Sequence, residues 1–283
     1  MTSTSATAIE TPSGKDAAYE NFPVGSWLLP ARLRPHIAVF YAFARAIDDI
    51  ADNPALSPDE KVRRLDGFEK AVRGRGDTSP AFAKGTAMRQ SLAETGVVAD
   101  HCVELVAAFK QDATKLRYRD WGDLMGYCRL SAAPVGRYLL DLHGGSRHGY
   151  GPADALCMAL QVINHLQDCQ DDYRSLDRVY LPMDWMEEAG ARVEDLDGTI
   201  TGRPLRTVID RTLDATEALL RDATPLQSGL SSWRLAMESG AILDIAWTLC
   251  RRLRRGDPLA GRIVLSKAGY LICCARGAMA ALV

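Results

Sequence analysis

Apolar residues recur along this chain at helical spacing, and in two places acids are set into an otherwise apolar body. The first stretch is Tyr41-Ala-Phe-Ala-Arg45-Ala-Ile-Asp48-Asp49-Ile-Ala-Asp52, which overlaps the apolar run Ile37 to Ile47. The second is Gln161-Val-Ile-Asn164-His-Leu-Gln-Asp168-Cys-Gln-Asp171-Asp172. At helical pitch Asp48 and Asp52 lie about 40° apart, with Tyr41 and Arg45 on the same side, and Gln161, Asn164, Asp168 and Asp172 share an arc of about 80°. A helix apolar nearly all round is a buried helix, so each stripe is a polar line along a buried body.

The same periodicity predicts the remaining elements. Ser57-Pro58-Asp59-Glu60 has the form of a capping box with proline in the first turn, opening a helix to Val72. Ser79-Pro80 opens another that Gly96 closes, and 98–112 follows. A helix over 120–143 contains Tyr127-Cys-Arg-Leu-Ser131-Ala-Ala-Pro134-Val-Gly136-Arg137. Proline and small residues there predict a kink, read either as a plain helix joint or as a break that serves a site. Gly144–Gly151 is a flexible connection, and its glycines follow no strand, which argues against a nucleotide loop. The second acidic helix runs from Pro152 to near Asp177. A short helix and acidic loop occupy 182–198, and further helices are expected over 204–223, 231–255 and 263–283. Strand signals are almost absent. The residues thus predict an all-α fold: a leader over 1–16, read as disordered, and one domain over 17–283, a bundle of about ten helices around a central cavity.

Composition narrows the function. With 47% hydrophobic and 25% charged residues, the 283-residue chain can bury a sizeable core. A net charge of −2 argues against nucleic acid as a partner. Seven scattered cysteines without metal spacing read as reduced core residues. The first 16 residues lack the basic and apolar regions of a signal peptide, and no apolar run reaches the length of a membrane span, so a cytoplasmic location is expected.

Carboxylates are seldom buried unless paired or holding a cation, and neither stripe has enough Lys or Arg to neutralise it. Two such stripes offer hard oxygen donors suited to Mg²⁺ carrying a diphosphate. The plainer alternative is a pair of solvated helix ends; the apolar run at the first stripe and the added amides Gln161 and Asn164 favour the metal. His36, His101, His143 and His148 are expected at the surface or in caps. His165 is expected either to meet a carboxylate or to pack in the core, and Cys169 to pack. Arg251-Arg-Leu-Arg-Arg255 reads as a solvated helix end or, beside the last apolar helix, as a contact with an anionic membrane.

These residues resemble a known family. Phe40-Tyr-Ala-Phe-Ala-Arg-Ala-Ile-Asp-Asp, Tyr127-Cys-x-x-Ser-Ala-x-Pro-Val-Gly and Gln161-x-x-Asn-x-x-x-Asp-x-x-x-Asp look like the motifs of squalene and phytoene synthases. Glu20-Asn-Phe-Pro-Val-Gly-Ser, Ala132-Ala-Pro-Val-Gly and Asp171-Asp-Tyr-Arg-Ser-Leu-Asp-Arg-Val-Tyr-Leu-Pro look like one bacterial branch, the hydroxysqualene synthases of hopanoid biosynthesis. The resemblance implies an isoprenoid-synthase bundle around an apolar cavity, with Mg²⁺ as cofactor. Asp48, Asp49, Asp52, Asn164, Asp168 and Asp172 would hold metal, directly or through water. Tyr41, Arg45, Gln161 and Arg178 would contact diphosphate, with Arg137 and Arg174 as helpers. Tyr127 would stand at the reacting carbons, making Tyr127, Asp48 and Asp168 the catalytic set. The implied reaction turns presqualene diphosphate into hydroxysqualene. The alternatives are head-to-head condensation of two farnesyl diphosphates (or a phytoene-type condensation) and a non-catalytic helical assembly factor. Neighbouring squalene-pathway enzymes and the inner membrane face are the implied surroundings. Many family members have a serine-rich entry where this chain has Asn21-Phe22-Pro23, a departure that favours the later reaction over condensation.

Overall fold

A computed structural model describes Ile9 and residues 29–75, 79–145 and 149–280. The rest of the predicted leader, the Glu20–Ser26 motif with Asn21-Phe22-Pro23, and His148 lie outside the described residues. The chain divides into two compact units, residues 1–114 and 115–283.

The first unit holds four α-helices among its described residues: α1 (Arg34–Ala51), α2 (Pro58–Arg73), α3 (Ala83–Thr95) and α4 (Asp100–Asp112). Its core forms because α1 buries Ile37, Phe40, Phe43, Ala46, Ile47 and Ile50 on α3 and α4. Phe43, Phe68 and Phe82 continue that core as edge-to-face rings, with centroids 6.0 and 5.4 Å apart. The predicted punctuation holds at Ser57, whose Oγ accepts from the Glu60 N–H at 3.3 Å, and at Gly96, which ends α3 in the left-handed region; Gly74 ends α2 in the same way. Half of the capping box fails, because the Glu60 carboxylate turns to Arg63 and Arg64. Lys61 Nζ donates to the Ala51 carbonyl at 2.7 Å and so closes the C-terminal end of α1.

The second unit holds α5 (Trp121–Ser131), α6 (Ala133–Leu142), α7 (Tyr150–Gln167), α8 (Cys169–Leu176), α9 (Met183–Ala189), α10 (Arg203–Ala223), α11 (Leu226–Gly229), α12 (Trp233–Arg255) and α13 (Lys267–Ala280). Helix α7 lies against α5, α6, α10 and α12. Gly136 lets α6 approach closely, since a Cβ there would stand 2.8 Å from Cys157 Sγ on α7. Gly240 of α12 and Gly277 of α13 lie backbone to backbone, and a methyl on either would collide with the other's carbonyl.

Three expectations change. The 120–143 helix divides at Ala132 (φ −121°), and Pro134 sits in the first turn of α6, where its missing N–H costs nothing. The second acidic helix is interrupted at Asp168, which ends α7 and precedes α8. The last helix begins at Lys267; residues 263–266 are not helical, and 281–283 lie outside the described residues. Two short strands also form, β1 (Arg117–Tyr118) and β2 (Val179–Pro182), paired in parallel. A two-residue strand is too short to carry a period-two signal.

Candidate active site

In the first unit the predicted residues share one helix. Arg45 Nη1 reaches Asp48 Oδ2 at 2.8 Å, one turn away, and Nη2 lies 3.5 Å from Asp49 Oδ1. Asp49 is 7% exposed, and the Arg45 guanidinium lies beside it. Asp52 ends the helix, its N–H donating to the Asp48 carbonyl at 2.9 Å. Tyr41 stands one turn before Arg45 and is half-buried.

In the second unit the amide and acid stripe runs from α7 into α8. The interruption at Asp168 is shallow: Asp168 N–H donates to Asn164 O at 2.9 Å and Asp172 N–H to Asp168 O at 2.8 Å. The stripe therefore stays on one side through the break. Arg178 follows α8, buried, and its N–H donates to the Asp172 carbonyl at 3.2 Å. Asp177 reverses the chain there in a left-handed conformation (φ 52°), its carboxylate held by Arg117.

Each stripe has one arginine paired with its acids, fewer cations than carboxylates. In the first, Arg45 pairs with Asp48 and Asp49 from within the same helix. Arg262, absent from the predicted set, grips Asp168 as a fork, Nε to Oδ1 at 2.6 Å and Nη2 to Oδ2 at 3.1 Å. The two residues are 94 positions apart, and no local pattern links them. Gln167 adds a second tie to the same segment by donating to the Ile263 carbonyl.

Arg137 and Arg174 are engaged elsewhere. Arg137 pairs with Asp154 in the first turns of α7, at 2.8 Å from Nε and 2.6 Å from Nη2, and lies over the Tyr150 ring. Arg174 binds Asp197 at the surface, through the carboxylate at 3.1 Å and the carbonyl at 2.7 Å.

Beside the stripe stands an aromatic pile. Tyr127 is buried, with its ring centroid 5.3 Å from Tyr118, 5.6 Å from Tyr180 and 6.1 Å from His165. Tyr180 stacks on Tyr118 at 5.5 Å and on His165 at 3.5 Å with 11° between planes. Burial, with Arg178 nearby, pushes His165 down to about 3 from its ordinary 6.5, so the ring is neutral. Gln161 Nε2 lies 3.2 Å from His165 Nε2. An amide nitrogen only donates, so Nε2 accepts and the ring proton sits on Nδ1. His165 thus meets neither a carboxylate nor a purely apolar core. It lies about 40° from Gln161 around the helix, the signal that would have joined it to the stripe. One turn after Tyr127, the Ser131 hydroxyl is buried at the α5–α6 break without a hydrogen-bond partner among the described residues.

The other singled-out residues have ordinary surroundings. His36 meets Ser91 Oγ at 2.8 Å, His143 meets the Leu139 carbonyl at 2.7 Å, and Cys169 is buried as expected; His101, expected at the surface or in a cap, is instead buried in α4. Among the described residues no disulfide is formed, and Cys102, Cys128, Cys169, Cys250 and Cys273 are buried. Arg254 pairs with Asp214 and Glu217 on α10, and Arg252 donates to the Val264 carbonyl.

Among the described residues no three His, Cys, Asp or Glu side chains are gathered into a metal cage. Mg²⁺ does not need one, because it usually takes one or two carboxylates and completes its shell with water and substrate phosphate oxygens. The donors here are all oxygen, from carboxylates and amides, and Gln161 makes no side-chain hydrogen bond among the described residues beyond the one to His165. Its carbonyl oxygen is left for a ligand. The set fits a hard divalent cation with a diphosphate.

The sequence model of the squalene/phytoene synthase family matches residues 16–268. The hydroxysqualene synthase of Rhodopseudomonas palustris is 43% identical over 265 residues, covering 94% of this chain and 90% of that protein. That of Sinorhizobium fredii is 40% identical over 253 residues, covering 89% and 86%. The crystal structure of squalene synthase HpnC from Alicyclobacillus acidocaldarius superposes with a TM-score of 0.71 at 31% identity, over 82% of this chain and 87% of that one.

Proposed function

This chain belongs to the squalene/phytoene synthase family and is an enzyme of that type, and from that premise we propose that it converts presqualene diphosphate to hydroxysqualene. The observation that carries the reading lies in the second unit: a stripe of oxygen donors and Arg178 directly beside a pile of buried aromatic rings. Ionising an allylic or cyclopropylcarbinyl diphosphate creates both charges at once, and these two surfaces suit one charge each. The names of the similar enzymes in Rhodopseudomonas and Sinorhizobium support the hydroxysqualene branch.

In this reading Asp48, Asp49, Asp52, Asn164, Asp168 and Asp172 hold Mg²⁺, whose charge makes the diphosphate a better leaving group. Arg45, Arg178 and Tyr41 donate to diphosphate oxygens and stabilise the charge that develops as the C–O bond breaks, and Gln161 meets the diphosphate through the cation or its water shell, by its carbonyl oxygen. Arg137 and Arg174, tied to Asp154 and Asp197, are left out of that contact. The electron pair departs with the diphosphate. The remaining cation rearranges with opening of the three-membered ring, beside the Tyr127 and Tyr180 faces, whose quadrupoles attract positive charge. A water oxygen forms the new C–O bond, and its proton passes to the departed diphosphate. No hydride enters, so the reaction needs no nicotinamide cofactor.

Product analysis by mass spectrometry tests this. With Mg²⁺, presqualene diphosphate should give an alcohol with or without NADPH, and farnesyl diphosphate should be left unconsumed. Consumption of farnesyl diphosphate would move the enzyme to the condensing branch.

We also propose that α13 rests on an anionic bilayer at the cytoplasmic face. Leu271, Ile272 and Met279 are exposed along this helix, which carries no acid; its Lys267 is exposed, and its Arg276 pairs with Asp244 of α12. No helix among the described residues is long and apolar enough to cross a membrane. The protein should float with anionic liposomes and not with neutral ones; sedimentation away from both would end this reading.

A further inference from the structure

Gln161 stands in the oxygen-donor stripe, and its amide can face the ligand with either end. A carbonyl oxygen serves a cation or accepts from its water shell, whereas an NH₂ group repels a cation; the flip therefore decides what the side chain can do. Exposed amides interconvert freely, so a fixed flip needs a partner that accepts only one end. In α7 that partner is one turn away. His165 Nε2 lies 3.2 Å from Gln161 Nε2, and the ring is in turn held flat against Tyr180 at 3.5 Å and 11°. Tyr180 belongs to β2, two residues after Arg178, and stacks on Tyr118 of β1. The stack sets the plane of the imidazole, and with Nε2 toward Gln161 the tautomer protonated on Nδ1 accepts from the amide NH₂.

We propose that His165 is a positioning residue: its Nε2 accepts from the Gln161 amide and thereby presents the Gln161 carbonyl oxygen to a magnesium-bound diphosphate. The inference rests on the proposed reading of the stripe and adds a member to it that touches neither metal nor substrate. It also assigns a task to the β1–β2 pair. This short sheet carries Tyr118 and Tyr180 into the pile, so Arg178, the imidazole and the Gln161 amide are set by one rigid arrangement. A phenylalanine at 165 would keep the stack and lose the acceptor. A glutamine would lose the stack yet carry an acceptor oxygen at about the reach of Nε2.

The test measures binding of inorganic diphosphate in the presence of Mg²⁺ by isothermal titration calorimetry, with no turnover involved. His165→Phe should weaken binding about tenfold, the size of one misdirected polar contact, while the melting temperature changes by a few degrees at most. His165→Gln should bind within about threefold of the wild type, though less stable. Gln161→Leu should weaken binding like His165→Phe, and the double variant should be no weaker than Gln161→Leu alone, because the two residues act as one unit. Nitrogen-15 spectra of histidine-labelled protein should show a neutral ring protonated on Nδ1. Wild-type binding by His165→Phe, or losses that multiply in the double variant, would overturn the role. Wild-type binding by Gln161→Leu would remove Gln161 from the diphosphate site and this role with it. The proposed reaction itself would still be judged separately, by its product.

Discussion

The two aspartate stretches look alike as text and are held in opposite ways. In α1 the counter-charge comes from the same helix: Arg45 stands three and four residues before Asp48 and Asp49 and meets both. In α7 and α8 it comes from far along the chain, where Arg262 forks onto Asp168 across 94 residues. The first arrangement is complete once the helix forms. The second exists only when the segment between α12 and α13 has returned to α7. A local pair keeps acids of a helix soluble in its own core; a distant pair makes one acid's surroundings depend on the fold.

The sharpest way to break this comparison is to remove one carboxylate from each stretch. Asp48→Asn and Asp168→Asn should each lower turnover on the order of a thousandfold or more, if both hold the proposed cation that takes up the leaving charge. Circular dichroism should stay helical in both. If either variant kept its activity, that stretch would lose its place in the metal site.

A second contrast sets a buried acid with a partner against one without. Asp49 has Arg45; Glu238 of α12 is 5% exposed, and its Oε2 has no hydrogen-bond partner among the described residues. Burial pushes Glu238 up to about 7 from its ordinary 4.5. Between those values the unfolded chain has released the proton while the folded chain still holds it. Stability from this group is therefore fully present below 4.5 and lost as pH rises through about 7, a change of a few kcal/mol. Glu238→Gln should flatten that decline in thermal melts from pH 4.5 to 8. Parallel declines in variant and wild type would show that another group carries the slope.

The smallest expected effect separates the two arginines. Arg262→Ala should cost about 1 kcal/mol, the worth of a half-exposed charge-assisted fork, and should speed amide exchange over 256–266. Arg45→Ala should leave exchange within α1 near its original rate, because the helix backbone holds that stretch without the pair. Equal responses in the two variants would erase the distinction between local and distant pairing.

Much of this was legible beforehand. The caps at Ser57 and Gly96 and the kink at Pro134 rest on interactions within a few residues, which a pattern along the chain records. The interruption at Asp168 was hidden because an acid gives no breaking signal of its own and its backbone keeps nearly helical bonds. Arg137 and Arg174 found partners in Asp154 and Asp197, acids that no spacing rule singles out.

By itself the sequence determined the all-α class, the two stripes and the family motifs, because helix periodicity and side-chain chemistry are properties of short stretches. Only the tertiary structure decided which cation faces Asp168, which rings surround Tyr127 and which end of Gln161 its neighbour accepts. Those outcomes depend on residues brought together from distant parts of the chain, and nothing in a local pattern encodes the meeting.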